Sequence, residues 1–313
     1  MREIVPGFWG TVKGLFSGKV RQVTAVDALS FQIARGERVA FIGPNGAGKS
    51  TTIKILTGIL YPTSGFAEVL GFTPWKDRQT LGYQIGTVFG QRTQLWYHLP
   101  PSDTFNLLSK IYEIDSNTYR QRLKELVQLF EIDAFLYKPV RQLSLGERMR
   151  CEIVASLLHN PHILFLDEPT IGLDINAKLM IRGLLNRLSK EHGTTLFLTS
   201  HDMADIEQVC ERVIVLDKGM IITDSPLKEL KKMYMKKKVL KLIMDNETIS
   251  FTLPGVSILE NAQHNFVCEI DVGVTPIDRV IQEALKRTIL KDITIEDPSM
   301  EEVIRLLYKV RHV

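Results

Sequence analysis

The stretch GPNGAGKST (Gly43 to Thr51) decides the fold. It fits the pattern G-x-x-x-x-G-K-[ST] and lies between a short apolar run, ERVAFIG (37–43), and an apolar-periodic run, STTIKILTGIL (50–60). A strand, a glycine-rich turn and a helix in that order are the context that this pattern needs. The glycines let successive N–H groups point at phosphate oxygens, and the helix N-terminus adds partial positive charge. We therefore predict a nucleotide-binding loop.

Backbone and side chains of this loop have different predicted tasks. Lys49 would bridge the β- and γ-phosphates as a point charge, and the Ser50 hydroxyl would ligate Mg²⁺. The remaining predicted nucleotide contacts are Gly43, Pro44, Asn45, Gly46, Ala47, Gly48 and Thr51.

Two adjacent carboxylates follow a second apolar run, HILFLDEPT, in which Asp167 and Glu168 end the strand. An aspartate there can hold the magnesium shell, and the neighbouring glutamate can polarise an attacking water as general base. Carboxylates that merely cap the next helix are the alternative. The loop at Gly43 favours the catalytic interpretation.

The order of apolar patterns predicts an α/β core. Buried-strand runs are HILFLDE (162–168) and TTLFLTS (194–200), separated by a helical segment, and residues 100–160 have mostly helical periodicity. Alternating segments at residues 20–35, VRQVTAV and ALSFQIA, predict two more strands, and Lys218-Gly219 predicts a closing hairpin. Continuous apolar strands alternating with helices indicate a mostly parallel sheet covered on both faces.

A change in charge predicts a second domain. Residues 1–238 carry a net charge of +7, whereas 239–313 carry −4. We predict a basic linker at 229–238 and a small α+β domain at 239–313, arranged as a split βαβ sandwich. Its predicted strands are VLKLIMD, ISFTL, NFVCEIDV and LKDITIED, and its predicted helices are TPIDRVIQEALKR and SMEEVIRLLYKV.

Composition narrows the class of protein. The 313 residues are 44% hydrophobic and 24% charged, as in ordinary globular proteins, and the net charge of +3 gives no argument for nucleic acid. Three scattered cysteines have no metal-ligand spacing and indicate reduced thiols. No apolar run reaches the ~18–20 residues that span a bilayer. We expect a chain that does not cross a membrane.

Four further segments complete a family pattern. They are VFGQRTQLW (88–96), LSLGE (143–147), IGLD (171–174) and TSHD (199–202). In this order, with the loop at Gly43 and the carboxylates at 167–168, they resemble the nucleotide-binding subunit of an ABC transporter. The resemblance covers about 20–225. It implies a P-loop NTPase fold of ABC type, with a nucleotide-binding domain at 21–228, a helical subdomain at about 94–160 and an N-terminal extension at 1–20.

The resemblance also implies roles for single residues. Gln91 would sense Mg²⁺ and the membrane partner, Asp174 would lie in the loop that crosses the dimer interface, and His201 would contact the γ-phosphate. Mg²⁺ would be held by Ser50, Gln91 and Asp167. The residues of the family signature LSGGQ, which would bind the ATP of the partner subunit, are Leu143, Ser144, Leu145, Gly146 and Glu147, with departures at Leu145 and Glu147.

The signature segment also predicts an anion-binding site without reference to the family. Ser144 and Gly146 offer a hydroxyl and bare N–H groups at a helix start. Members of the family usually stack adenine on an aromatic residue before the phosphate loop. That position falls near Val20, which cannot stack, so the adenine contact stays unassigned. Trp96 and Tyr97 fit two interpretations, contact with a membrane partner or packing in the helical subdomain.

The resemblance implies ATP and Mg²⁺ as cofactors and a second ATPase subunit, either a copy of this chain or a paralogue. It further implies separate integral membrane permease chains of the six-helix exporter type, a peripheral location of this subunit at the cytoplasmic face of the inner membrane, and no nucleic-acid partner. The transported compound is set by the permease and not by this sequence.

Three alternatives stay open. A soluble ABC-type ATPase acting on ribosomes or DNA would usually carry two such domains or a long coiled-coil insert. A phosphotransferase would share the loop at Gly43 but would leave LSLGE and His201 unexplained. Finally, the acidic C-terminal domain could bind a ligand or partner and regulate transport.

Overall fold

The structure is a computed structural model that describes residues 24–90, 92–234, 237–296 and 300–311. The chain divides into two compact units. The first holds the segment up to Glu37 together with Phe41–His201 and Ile214–Thr223, and the second holds Arg38–Ala40, Asp202–Val213 and the residues from Asp224 onward.

Six strands form the larger sheet, in the order β2-β3-β4-β1-β5-β6. Strands β2, β3 and β4 are parallel, as the continuous apolar runs of β3 and β4 predict; β2 was not predicted. Lys218 and Gly219 both have positive φ and form the predicted hairpin turn between β5 and β6. The strands are β1 (Arg38–Ile42), β2 (Ile85–Phe89), β3 (Ile163–Asp167), β4 (Thr195–Thr199), β5 (Arg212–Asp217) and β6 (Met220–Pro226).

Helices of the first unit follow the predicted periodicity. The stretch 100–160 contains three of them, and Asp115 caps the second by accepting from the N–H groups of Asn117 and Thr118. The helices are α1 (Lys49–Leu56), α2 (Arg78–Gly82), α3 (Pro101–Ile111), α4 (Ser116–Phe130), α5 (Leu145–Leu157) and α6 (Ile175–His192).

The strand predicted at ALSFQIA (28–34) is wrong, since residues 24–37 contain no regular strand. Alternation does describe burial here: Leu29, Phe31 and Ile33 are half-buried while their neighbours are exposed. The Phe31 ring lies 5.6 Å from that of Phe41. The alternation therefore predicts which side chains are buried, although the segment does not pair with a neighbouring strand. Most of VRQVTAV lies outside the described residues.

The second unit contains a four-stranded antiparallel sheet in the order β10-β7-β9-β8. That order matches the expected split βαβ arrangement. Its core contains Leu240, Phe266 and Ile270 from the strands and Val280 and Ala284 from α9. The elements are α7 (Met203–Val209), α8 (Leu227–Tyr234), β7 (Lys237–Met244), β8 (Val256–Ala262), β9 (Asn265–Asp271), α9 (Ile277–Leu285), β10 (Leu290–Glu296) and α10 (Met300–Arg311).

The first crossover of this sheet differs from the prediction. ISFTL (249–253) is not a strand, although Ile249 and Phe251 are buried in the core. The Asn261 side chain takes the place of a ladder partner: its Oδ1 accepts from the Ile249 N–H at 3.2 Å, and its Nδ2 donates to the Ile249 carbonyl at 2.6 Å. The strand of this unit that was not predicted is β8, whose side chains are mostly exposed and whose apolar alternation breaks at the adjacent Ile258 and Leu259.

Packing of α10 completes the second unit. This helix contacts α7 and α8 and buries Met300, Val303 and Ile304. Across the described ranges no helix combines the length and apolarity that crossing a bilayer requires.

Candidate functional site

The loop between β1 and α1 has the shape that its glycines allow. Gly48 caps α1 with φ 103°, in the left-handed region that favours glycine. A Cβ atom at Gly48 would lie 2.5 Å from the Ala25 carbonyl oxygen, and one at Gly43 would lie 2.6 Å from the Leu216 carbonyl oxygen. The backbone therefore packs too closely for side chains at both positions. The N–H groups in the first turn of α1 have no partner within the helix, and an anion is favoured there.

Lys49 is the buried cation of this loop and is 7% exposed. Its Nζ donates to the carbonyl oxygens of Gly43 at 2.6 Å and Pro44 at 3.2 Å. Burial lowers the pKa of Lys49, and the negative charges of Glu168 and Asp167 act in the opposite direction. The lysine and both carboxylates thus belong to one electrostatic cluster.

Thr199, at the end of β4, is hydrogen-bonded to the Asp167 carboxylate and to the Glu168 backbone. Its hydroxyl donates to Asp167 Oδ1 at 2.6 Å and accepts from the Glu168 N–H at 3.1 Å, and its carbonyl accepts from the same N–H at 3.1 Å. Glu168 has φ 58°, which is uncommon for a residue other than glycine. No sequence pattern singles out Thr199. Its place at the end of the strand beside β3, within the TSHD segment, was the available signal.

Glu168 and His201 are in direct contact. His201 Nε2 lies 2.9 Å from Glu168 Oε1, with the histidine side chain 47% exposed and the glutamate side chain 15% exposed. Burial raises the pKa of Glu168, while His201 and Lys49 oppose that rise. A partly desolvated carboxylate with a raised pKa is a better proton acceptor than a solvated one.

The LSLGE segment forms the start of α5. Ser144 Oγ accepts from the Glu147 N–H at 3.2 Å, and the Glu147 carboxylate accepts from the Ser144 N–H at 2.8 Å, which makes a capping box. The hydrogen bond from the Ser144 N–H is the main cause of a lowered pKa at Glu147. A Cβ at Gly146 would lie 2.8 Å from the Ala177 Cβ on α6. Gly146 therefore permits close packing of these two helices.

Asp174 caps α6, because its Oδ1 accepts from the Ala177 N–H at 2.9 Å. Gly172, two residues earlier, has φ 73°, and Leu145 packs where its side chain would be. Leu143 precedes the signature helix in extended backbone.

Two groups of predicted residues lie outside the described ranges. They are Gln91 and the N-terminal segment that contains Val20. The predicted roles of Gln91 and the adenine contact are therefore not addressed by this geometry.

Comparison with known proteins places this arrangement in a family. The ABC transporter family profile matches residues 26–171. The ABC transporter ATP-binding protein NatA of Bacillus subtilis is 31% identical over 215 residues, 69% of this chain and 87% of NatA. The bacitracin transport ATP-binding protein BcrA of Bacillus licheniformis is 33% identical, with 66% of this chain and 67% of BcrA covered. This chain belongs to the ATP-binding proteins of ABC transporters.

Solved structures of ABC transporter ATP-binding subunits agree in fold. One of them has a TM-score of 0.60 at 27% identity, covering 67% of this chain and 87% of its own. A dimeric ATP-binding cassette in a post-hydrolysis state, bound to ADP and phosphate, has a TM-score of 0.59 at 29% identity, covering 66% of this chain and 91% of its own. The expected P-loop NTPase fold of ABC type is confirmed.

ABC ATPases bind and hydrolyse ATP, generally with Mg²⁺, and they dimerise and pair with membrane permease subunits. The residues of this ABC subunit fit such a ligand set. Ser50, in the first turn of α1, offers a hydroxyl, and Asp167, at the end of β3, offers a carboxylate. Hard oxygen ligands of this kind suit Mg²⁺, which keeps water and phosphate oxygens as its other ligands.

Proposed function

We propose that this chain is the ATP-hydrolysing, energy-coupling subunit of an ABC exporter that drives separate permease chains. The observation that carries the proposal is the contact between Glu168 and His201, beside Thr199 and within the electrostatic field of Lys49. These groups come from three segments far apart in sequence. A base, a histidine and a phosphate-binding lysine together are what hydrolysis of a γ-phosphate needs.

In the proposed reaction, water attacks the γ-phosphate in line. Glu168 orients that water and accepts its hydrogen bond, and His201 positions the phosphate. Lys49 exchanges its contacts with the loop carbonyls for phosphate oxygens and neutralises developing charge. Mg²⁺, for which we propose Ser50, Gln91 and Asp167 as ligands, would supply further charge neutralisation when bound.

We propose that a second subunit is needed because the signature binds ATP held by another chain. Ser144 and Gly146 begin α5 with a hydroxyl and a bare backbone, and we propose that they contact ATP held on residues 43–51 of another copy or a paralogue. Asp174 would then lie at the subunit interface while keeping its capping bond within α6. The dimeric relative supports this arrangement.

The exposed aromatic residues after Gln91 support a permease contact. Trp96 is 47% and Tyr97 53% exposed, which favours the surface interpretation over packing in the helical subdomain. Names of relatives favour export, since they include bacitracin transport, daunorubicin resistance and Nod factor export proteins. A peripheral place at the cytoplasmic face of the membrane follows from such a pairing.

We also propose the domain boundaries that the sequence predicts. The nucleotide-binding domain would cover 21–228 with its helical subdomain at about 94–160, followed by the linker 229–238 and the accessory domain 239–313. The compact core of the four-stranded sheet supports an accessory domain with its own fold.

A Glu168→Gln variant tests this function. We expect ATP binding to persist while hydrolysis falls at least about 100-fold, since the amide cannot act as a base. Glu191→Gln, on the exposed face of α6 in a surface pair with Arg187, is the matched control and should hydrolyse ATP like the parent.

The same tagged variant, extracted from its native membranes in mild detergent with ATP present, should bring down polytopic permease chains. Recovery of ribosomal or DNA-repair proteins without a membrane protein would contradict the transport function. Hydrolysis by Glu168→Gln at the level of Glu191→Gln would contradict the catalytic assignment.

A further inference from the structure

His201 contacts the proposed base with its backbone as well as with its ring. The ring nitrogen Nε2 lies 2.9 Å from Glu168 Oε1. Burial raises the pKa of Glu168, and a hydrogen bond from the His201 backbone acts in the opposite direction. The base therefore depends on where the main chain runs at His201. The elements on either side of this residue support the site, although they contain no group that takes part in the chemistry.

Two elements determine the course of the main chain at His201. On its N-terminal side, β4 ends at Thr199, whose hydroxyl accepts from the Glu168 N–H. On its C-terminal side, Asp202 caps α7, because its Oδ1 accepts from the Ala204 N–H at 3.0 Å. The segment that follows His201, Asp202–Val213, belongs to the second compact unit, together with the residues from Asp224 onward. What packs on α7 therefore determines the support on this side.

α7 is too short to be stable by itself. It has seven residues, whereas isolated helices of fewer than about 12 residues are marginal in water. Three of its side chains, those of Asp205, Ile206 and Val209, are buried. We therefore expect α7, and with it the cap at Asp202, to depend on the helices that pack against it.

α8 is attached to α7 and to the residue shortly after it. Lys231 Nζ on α8 lies 3.2 Å from Glu207 Oε2 on α7. The Leu227 N–H, at the start of α8, donates to the Glu211 carbonyl at 2.8 Å. The ion pair is partly exposed, and pairs of this kind contribute little to stability.

α10 packs against both α7 and α8. It lies within residues 239–313, the predicted accessory domain, whereas α7 begins two residues after His201. Its buried apolar side chains are those of Met300, Val303 and Ile304. Buried apolar contacts stabilise more than a partly exposed ion pair does, so we expect α10 to restrain α7 more strongly than the pair between Lys231 and Glu207.

We propose that Val303 and the other buried side chains of α10 are positioning residues for His201, acting through α7. This inference rests on the proposed function, in which His201 positions the γ-phosphate. While α10 is packed, α7 and its cap at Asp202 stay fixed, and the imidazole stays within reach of Glu168. When that packing is loosened, ATP still binds at residues 43–51, but the histidine occupies its productive position for less of the time and hydrolysis slows.

A matched pair of variants tests the proposal. Val303 and Val280 are both valines of residues 239–313, 1% and 0% exposed, but Val280 is on α9 in the core of the four-stranded sheet. We expect kcat for ATP hydrolysis to fall at least about fivefold in Val303→Ala and to stay within about twofold of the parent in Val280→Ala. ATP affinity, measured by equilibrium dialysis of labelled ATP, should stay within about threefold in both variants. Urea unfolding measures whether the two substitutions destabilise the chain equally.

A double-mutant cycle with His201→Ala separates positioning from general loosening. Single-turnover hydrolysis is measured in the parent, in each single variant and in the double variant. If α10 acts through His201, adding Val303→Ala to His201→Ala should lower the rate by less than about twofold, because the positioned group is already absent. A full fivefold further loss would overturn the proposal, since the packing would then act on some other part of the site.

The remaining outcomes are also decisive. A parent-like kcat in Val303→Ala would overturn the proposal, as would an equal fall of kcat in Val280→Ala. A parent-like rate in His201→Ala would overturn the role of His201 in the proposed function, and this inference with it. If Val303→Ala does not fold, Ile304→Val removes a single methylene, with Ile270→Val, at a fully buried position of β9, as its control. A fall of about twofold in kcat of Ile304→Val alone would support the proposal, and equal rates would overturn it.

Discussion

Replacing Thr199 with valine removes one fully buried hydroxyl and keeps the shape of the side chain. The hydroxyl donates to Asp167 Oδ1 at 2.6 Å and accepts from the Glu168 N–H. That N–H keeps the Thr199 carbonyl as acceptor, so the main loss is a hydrogen bond to a charged group, about 1.5–3 kcal/mol. Asp167 is half-buried and water replaces part of that bond. We expect the free energy of unfolding to fall by about 2 kcal/mol.

The same hydroxyl orients the Asp167 carboxylate, so hydrolysis should fall too. If the whole loss appears in the transition state, about 2 kcal/mol corresponds to about 30-fold in kcat/KM. Thr199→Ser keeps the hydroxyl and loses one buried methyl, about 1 kcal/mol of stability, and its rate should stay near that of the parent. Urea unfolding and steady-state ATP hydrolysis measure both quantities. A valine variant as stable and active as the parent would refute the assigned role of Thr199.

Three further predictions follow from single contacts. Gly43→Ala places a Cβ 2.6 Å from the Leu216 carbonyl oxygen, so the loop must shift. We expect ATP affinity, measured by equilibrium dialysis, to fall at least about tenfold. An unchanged affinity would contradict the packing argument. Burial raises the pKa of Glu168, and the base must be deprotonated to act. As the pH falls, kcat/KM should therefore decline at a pH above the ordinary glutamate pKa of about 4.3. A decline at that ordinary value would count against Glu168 as the base. Asn261→Ala leaves the backbone N–H and carbonyl of Ile249 without this partner. The free energy of unfolding, measured by urea titration, should fall by about 2 kcal/mol, and ATP affinity should be retained. Loss of ATP binding would show that Asn261 has a different role.

Local patterns were sufficient for the phosphate loop and the buried strands. The loop needs glycine where backbone lies within 3 Å, and that constraint is written at Gly43 and Gly48. The central residues of β3 (164–166) and β4 (196–198) are all apolar because both faces of the sheet are covered. In each case the packing constraint applies to consecutive residues, so a short stretch of sequence is enough to predict the structure.

Contacts between distant residues were beyond such patterns. Thr199 carries no local signal, since its role is defined by Asp167, a partner 32 residues away in the chain. The segment 249–253 was misassigned for the same reason. Its apolar residues are buried as predicted, but the group that satisfies the Ile249 backbone is the Asn261 side chain. Periodicity indicates which face is buried and leaves open what completes the hydrogen bonds.

The position of β1 in the larger sheet has a consequence for synthesis of the chain. β1 lies between β4 and β5, which are made more than 150 residues later. At about 5–20 residues per second, a nascent chain would wait on the order of ten seconds or more before β1 has either neighbour. The Leu216 backbone against Gly43 also belongs to β5. The ability to bind nucleotide therefore arises late in translation, and until then an apolar strand stays available to chaperones.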